Sequence, residues 1–241
     1  MSLRNLIQPN SDAIKIADRA EIISRYKRLR KVSTRLNHKL VKRLSRDVID
    51  EGAKKLGILQ DGFLVFNSED ESSILMDYCI YYVRRNGRNA VEQYLIDSLP
   101  DSDSDEMVCL RAMQHAAYSL FVVESVERGL GVTVWDSLSN ETILVVDMGF
   151  STSSQPGLIF ASRLLPVDGF SMTGGAALPV GVLPKDQRQT WTQEAAKLVT
   201  PAADGYFDPA SLIRTCLSQG SSSHVEYQDS DSRRHRATAD I

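Results

Sequence analysis

Long apolar runs are missing from this 241-residue chain. No segment approaches the roughly 18–20 apolar residues of a membrane span, so a membrane partner is not expected. Cysteine is scarce: Cys79, Cys109 and Cys216 are odd in number and far apart. Without a C-x-x-C pair, neither a zinc knuckle nor a dithiol redox motif is encoded. Three isolated thiols among apolar neighbours read as buried free cysteines in a reducing cytoplasm. Histidine is limited to four residues. There is no H-E-x-x-H, no EF-hand loop, and neither glycine-rich phosphate cradle, G-x-x-x-x-G-K-[ST] or G-x-G-x-x-G. No metal and no cofactor are therefore expected. The N-terminus is charged and lacks an apolar h-region, so no secretory signal is predicted. The sequon Asn140-Glu141-Thr142 carries no weight without one.

What the chain does have is enough apolar material for a core, at 42% of residues, and an uneven distribution of charge. The formal net charge is −3. Through Lys55 there are fifteen basic and six acidic residues, an excess of nine, so the remainder carries −12. The overall balance names no partner, but the asymmetry asks where the basic segment lies against the acidic one.

Helical periodicity dominates the first half. Ile22, Tyr26, Leu29, Val32, Leu36, Leu40, Leu44 and Val48 recur in steps of three and four. They predict one long helix over 12–51, or two broken near residue 33, where Ser33 and Thr34 weaken the stripe. Asn10 or Ser11 is the expected cap. Gly57 stops the pattern, and Phe63-Leu64-Val65-Phe66 is too short to classify. Further helices are predicted from Ser68 to about Arg85, over 88–98, and from the acidic 100–106 stretch to about Ala117. Asp103 and Glu106 are spaced as a capping box for the last of these.

Then the rhythm changes. Short apolar runs at 120–126, 132–135, 142–146, 158–165, 170–173 and 176–180 alternate with turn residues. This is the pattern of an antiparallel meander, curled or closed into a small barrel. Residues 149–157 read as a loop. Pro184 and Asp208-Pro209 mark the starts of two C-terminal helices. From Gly220 the chain is polar and reads as a disordered tail.

The residues that carry chemistry are weighed against plainer roles. Arg25, Lys27, Arg28, Arg30, Lys31, Arg35, Lys39, Lys42, Arg43 and Arg46 surround the apolar stripe of the first helix. Cations this dense can neutralise several phosphates, which points to nucleic acid. The plainer reading is a solvated face, or one paired with acidic surface. Gly169-Phe170-Ser171-Met172-Thr173-Gly174 is one residue too long for a nucleophile elbow and lies in a strand. His224 and His235 fall in the tail, and His38 and His115 have no local orienting partner, so no catalytic residue is assigned. Asp136, Asp147 and Asp168 end strands. They would support acid–base or cation chemistry only by converging, and Asp is an ordinary turn residue. Trp135 alternates with Val132 and Val134 and is expected to lie under helices rather than in solvent.

The β segment resembles a β-rich module of uncharacterised bacterial proteins. The resemblance rests on Val132-Thr-Val-Trp-Asp136-Ser-Leu138, Val145-Val-Asp147, Ser151 and Gly157. It continues through Phe160-Ala-Ser-Arg163-Leu-Leu-Pro166 and Asp168-Gly-Phe170 before Gly174. This V-x-D-x-L … A-x-R-L-L-P … G pattern covers about a quarter of the chain. The resemblance implies a helical N-terminal part and no assigned activity. Some members carry a zinc module similar to the SecA C-terminus, whose cysteine spacing is absent here. Asn140 stands where a turn glycine is usual.

The fold class expected is α+β: a helical region over 1–117, an antiparallel β module over 118–181, C-terminal helices packed on it over 182–218, and a tail over 219–241. The leading functional expectation is a non-enzymatic cytoplasmic interaction or regulatory protein with an unknown protein partner. Nucleic-acid binding by the basic helix is the first alternative, and a hydrolase using the strand-end aspartates is the second. Homo-oligomerisation stays open.

Overall fold

The computed structural model describes residues 16–66, 69–184, 187–198 and 208–218. The expected leader, the Asn10/Ser11 cap and the expected tail lie outside them. Helix α1 (Ile16–Val41) buries Tyr26, Leu29, Ser33, Leu36 and Leu40 along one face. The break falls at 42–45 rather than near residue 33, and Ser45 then takes extended backbone ahead of α2 (Arg46–Leu56). The apolar steps Leu40, Leu44 and Val48 run straight through this break, so periodicity is blind to it. Gly57 closes α2 in the left-handed conformation, its N–H bonded to the Ala53 and Lys54 carbonyls.

A small hairpin of β1 (Leu59–Gln60) and β2 (Phe63–Leu64) follows, within the region read as helical. Helix α3 (Glu69–Tyr81) packs on α2 so closely that a Cβ on Gly52 would lie 2.4 Å from the Cys79 sulfur. Helix α4 (Ala90–Ser98) begins with a capping box between Asn89 and Glu92. Helix α5 (Asp105–Gln114) is capped by Ser104, whose hydroxyl accepts from the Met107 N–H at 3.1 Å. The cap is thus one residue beyond Asp103. Ser and Asp are equivalent capping signals, and the acidic run offers both at adjacent positions.

Five strands then close into a barrel: β3 (Ala117–Glu127), β4 (Gly131–Asp136), β5 (Thr142–Val146), β6 (Leu158–Val167) and β7 (Phe170–Val182), in the order β3-β4-β5-β7-β6 and back to β3. Residues 149–157 are not all loop, because α6 (Met148–Ser153) starts at Asp147, whose carboxylate accepts from the Phe150 N–H. The expected all-antiparallel meander needs one correction. Strands β5 and β7 meet in parallel through Val145 and Ser171. The crossover through α6 makes this unavoidable, since the β6–β7 hairpin returns β7 in the direction of β5. A five-stranded barrel with this strand order and a helix after its third strand has the connectivity of an OB-type barrel.

Alternation places Phe121, Val123, Val132, Val134, Val145, Phe160 and Leu164 inside the barrel, and Phe150 of α6 plugs it. The Phe150 ring meets Phe160 edge-on at 4.9 Å. The outer face is clothed by helices on two sides. Helices α2, α3, α7 (Arg188–Lys197) and α8 (Ala210–Ser218) share one cluster with Leu120, Val122, Trp135, Ile159 and Leu178. Helices α1, α4 and α5 share another with Val146, Leu165, Phe170 and Met172. Trp135 is buried under α7, its indole N–H donating to Asn140 at 3.0 Å and the Arg188 guanidinium over its ring.

A buried ion pair joins the barrel to this shell. Arg163 points out of β6 towards α3 with 1% of its side chain exposed. Its guanidinium bonds both carboxylate oxygens of Asp77, the shortest contact being 2.8 Å, and lies 3.7 Å from the centre of the Tyr81 ring. Burial works against its charge, and the adjacent Asp77 carboxylate more than restores it.

Candidate nucleic-acid interface

The ten cations named on the basic helix divide into two groups. Six are engaged with carboxylates. Arg25 donates to the Asp168 carbonyl at 3.0 Å and lies 3.7 Å from its carboxylate. Arg28 meets Asp105 at 2.7 Å, and Arg43 meets Asp97 at 3.4 Å. Lys39 reaches Glu106 at 3.2 Å and the Tyr94 hydroxyl at 3.1 Å. Arg46 pairs with Asp50 one turn along α2. Arg30 is the most committed: it bonds Asp147 at 2.6 Å, the Thr173 carbonyl and hydroxyl at 2.7 Å each, and the Tyr26 hydroxyl. Five of these partner carboxylates come from the acidic remainder of the chain. Much of the charge asymmetry is therefore internal complementarity. Tyr94 and Lys39 hold the Glu106 carboxyl below its usual range, and the same contacts raise Lys39.

Lys27, Lys31, Arg35 and Lys42 form the second group. All four are exposed, and among the described residues none has a carboxylate within ion-pair distance. Lys27, Lys31 and Arg35 are spaced i, i+4, i+8 on α1, and Lys42 follows in the turn just after the helix ends. At 1.5 Å per residue the line runs roughly 22 Å along α1 and into that turn. It is flanked by the paired cations, which set the roll of the helix against the barrel.

That roll has a consequence for the barrel. The outer face of β4 and β5, with the β3–β4 and β6–β7 turns, is where OB-type barrels take ligands. Here α1 reaches both of these turns and shares an apolar cluster with part of β5. Leu144 and Val146 of β5 belong to the same apolar cluster as Ile22, Ile23 and Tyr26. Arg19 bonds the Arg128 carbonyl in the first turn, and Arg25 bonds the Asp168 carbonyl in the second.

The strand-end aspartates do not converge. Asp136 lies at the end of the barrel opposite Asp147 and Asp168, as the pairing of Gly131 with Val146 and Trp135 with Thr142 requires. Asp136 accepts from Ser119 at 2.6 Å and from the Leu138 N–H. Asp147 caps α6 and anchors Arg30, and Asp168 is an exposed turn residue. His38 and His115 are both on helix surfaces, the second bonded to the Arg111 carbonyl. Among the described residues no group of three His, Cys, Asp or Glu side chains is arranged to hold a metal ion.

A cleft of about 340 Å³ opens beside the unpaired cations, between α1, α3 and β7. Arg30, Ser33, Thr34, Asn37, His38 and Val41 line it from α1, and Ser72, Ser73, Met76, Asp77 and Ile80 from α3. Gly174, Gly175 and Ala176 complete it from β7. Of these positions the sequence reading names Arg30 as a candidate and weighs His38, and it does not bring the rest together as a site. The available signal was Ser33, a polar residue on the buried stripe, and the Gly174-Gly175 pair read as a bend.

Helices wrapped around a closed five-stranded barrel, with one line of uncommitted cations outside, define an α+β barrel protein whose β module is a scaffold. The chain belongs to a family of unknown function, DUF7986, which matches residues 20–201. No curated protein and no solved structure matches it. Among the described residues no helix is long and apolar enough to cross a membrane.

Proposed function

We propose that this protein is a non-enzymatic interaction protein whose contact face is the outer line of α1, and that this face binds a nucleic-acid backbone. One observation carries the reading. Four exposed cations lie along one side of α1 and the turn that follows it, and among the described residues none has a carboxylate within ion-pair distance, while their six neighbours are paired. Helix α1 is held to the barrel at both turns, so the line is presented in a fixed geometry. The catalytic alternative loses support because Asp136, Asp147 and Asp168 each serve a local structural role. A cytoplasmic location and a bacterial source go with this proposal, the first supported by three buried free cysteines.

Four phosphate contacts imply a log–log salt slope of about −3.6 on duplex and about −2.8 on a single strand. Titration of generic duplex and single strands from low salt upward tests it. Absence of salt-sensitive affinity would overturn the reading.

A protein partner is the second reading, favoured by the exposed Phe63, Val65 and Phe66 on and after the β1–β2 hairpin, Phe63 at 74%. Sedimentation of the wild type and Phe63→Ser tests one form of it. A dimer that dissolves in the variant supports self-association through the hairpin, and a wild-type monomer removes it.

A further inference from the structure

The cleft between α1, α3 and β7 contains a polar atom that the fold itself does not use. Ser33 is 3% exposed and lies on its wall. One turn on, the Asn37 Oδ1 is buried and accepts no hydrogen bond among the described residues. Buried polar atoms are normally paired, so this oxygen calls for an explanation. The opposite floor is unusual too. The β6–β7 register passes from Ser162 opposite Ala177 to Leu164 opposite Thr173, so Gly174, Gly175 and Ala176 face Arg163 as a bulge. Gly175 has a φ of 97°, and a Cβ there would meet nothing within 4 Å. A bulge of this kind takes backbone groups out of the ladder and leaves them beside the cleft.

The charges at the cleft are already matched. Arg30 is committed to Asp147 and Thr173, and Asp77 to Arg163. What remains is a set of neutral hydrogen-bonding groups, Ser33, Asn37 and Ser73, with apolar surface from Val41, Met76, Ile80 and Ala176. An occupant should therefore have flat apolar faces and a polar, uncharged edge. A nucleobase has both, and an Asn amide can pair with a base edge through donor and acceptor together. Thr34 and His38 line the cleft and lie on the exposed side of α1. Thr34 is three residues from Lys31, and His38 is three from Arg35 and four from Lys42, so the mouth opens within one helical turn of the cation line.

We infer that the cleft receives one unpaired base of a nucleic-acid strand whose backbone lies on Lys27, Lys31, Arg35 and Lys42. This rests on the polyanion reading and narrows it to single-stranded nucleic acid. A duplex keeps its bases stacked and cannot fill the cleft without extruding one.

The test uses the full chain and two probes. One is a set of the four ribonucleosides, which lack phosphate, followed by amide chemical shifts at residues 33, 37, 174 and 175. The other is a short single strand and its abasic counterpart, followed by fluorescence anisotropy. The inference predicts saturable shifts at the cleft with at least one nucleoside. It also predicts that the intact strand binds about tenfold or more tightly than the abasic one. Asn37→Leu should reduce the intact strand to the abasic level and leave the abasic strand unchanged. Ser33→Ala supplies a second variant should Asn37→Leu fail to melt cooperatively. Equal affinity for the two strands, with no nucleoside shifts at the cleft, overturns the inference and leaves the backbone reading standing. If neither strand binds, the backbone reading and this extension fall together. Saturable nucleoside shifts would then keep the cleft only as a separate nucleoside site.

Discussion

Replacing Asp77 by Asn removes a charge and almost no volume, and it isolates the most deeply buried cation in the shell. Arg163 is 1% exposed and Asp77 9%, so neither charge is screened appreciably by solvent. In the wild type three guanidinium–carboxylate hydrogen bonds of 2.8–3.1 Å offset the desolvation of both groups. In Asp77→Asn the guanidinium stays between α3 and β6 with one neutral amide oxygen and the rings of Tyr81, Tyr82 and Tyr118 in place of a countercharge. Each such contact is worth about 0.5–2 kcal/mol. Breaking a buried pair by removing one partner costs about 3–5 kcal/mol. For a protein of this size that is a fall in Tm of roughly 6–20 °C. Chemical denaturation gives the free energy and calorimetry the Tm. Arg163→Met combined with Asp77→Asn should recover most of the loss, because the uncompensated charge is then gone. A loss below about 1 kcal/mol in Asp77→Asn would refute the claim that the pair is desolvated. A double variant no better than the single one would show that the loss is packing rather than charge.

Phe150→Ala should cost about 3–5 kcal/mol by emptying the barrel plug, measured by the same unfolding curves. Gly131→Ala should cost about 3 kcal/mol, because its Cβ would lie 2.0 Å from the Val145 carbonyl oxygen and backbone cannot give way. Burial pushes the thiols of Cys79, Cys109 and Cys216 up to about 12, so a thiol reagent at neutral pH should label none before unfolding. The Glu106 carboxyl is held low in the folded state by Tyr94 and Lys39, so its contribution is present above the ordinary glutamate range and is lost as pH falls through the lowered value. The Tm of Glu106→Gln should therefore lie below wild type near neutrality and converge with it in acid. A constant gap across that range would contradict the assignment.

The legible features were those written in local pattern. Alternation at 132–135 puts Val132 and Val134 on the face opposite Trp135 and Trp135 under helices; in the structure the valines point into the barrel and Trp135 lies beneath α7. The turn residues mark the ends of the barrel strands to within a few positions, except that Gly174-Gly175, read as a bend between two runs, is a bulge inside the single strand β7. The break at 42–45 was invisible because the apolar steps pass through it. The parallel closure of β5 on β7 was invisible because it depends on a crossover rather than on either strand. The basic helix was visible as a density of charge, but its division into six paired and four unpaired cations depends on where Asp97, Asp105, Glu106, Asp147 and Asp168 arrive in space. The Arg163–Asp77 pair joins residues 86 apart, and nothing local to Asp77 predicts it. The cleft follows the same logic. In the sequence Ser33 weakens a helix stripe, whereas in the fold it faces a space that three elements make together.

Lys27, Lys31 and Arg35 of α1, with Lys42 in the turn after it, are proposed to form the contact face for a nucleic-acid backbone. Binding of a generic single strand should be followed across a salt series for wild type and for Lys31→Gln with Arg35→Gln. The account predicts a log–log slope near −2.8 for wild type, and a slope shallower by about 1.4 in the variant with its melting curve unchanged. Identical slopes in the two proteins, or no binding at low salt, would contradict it.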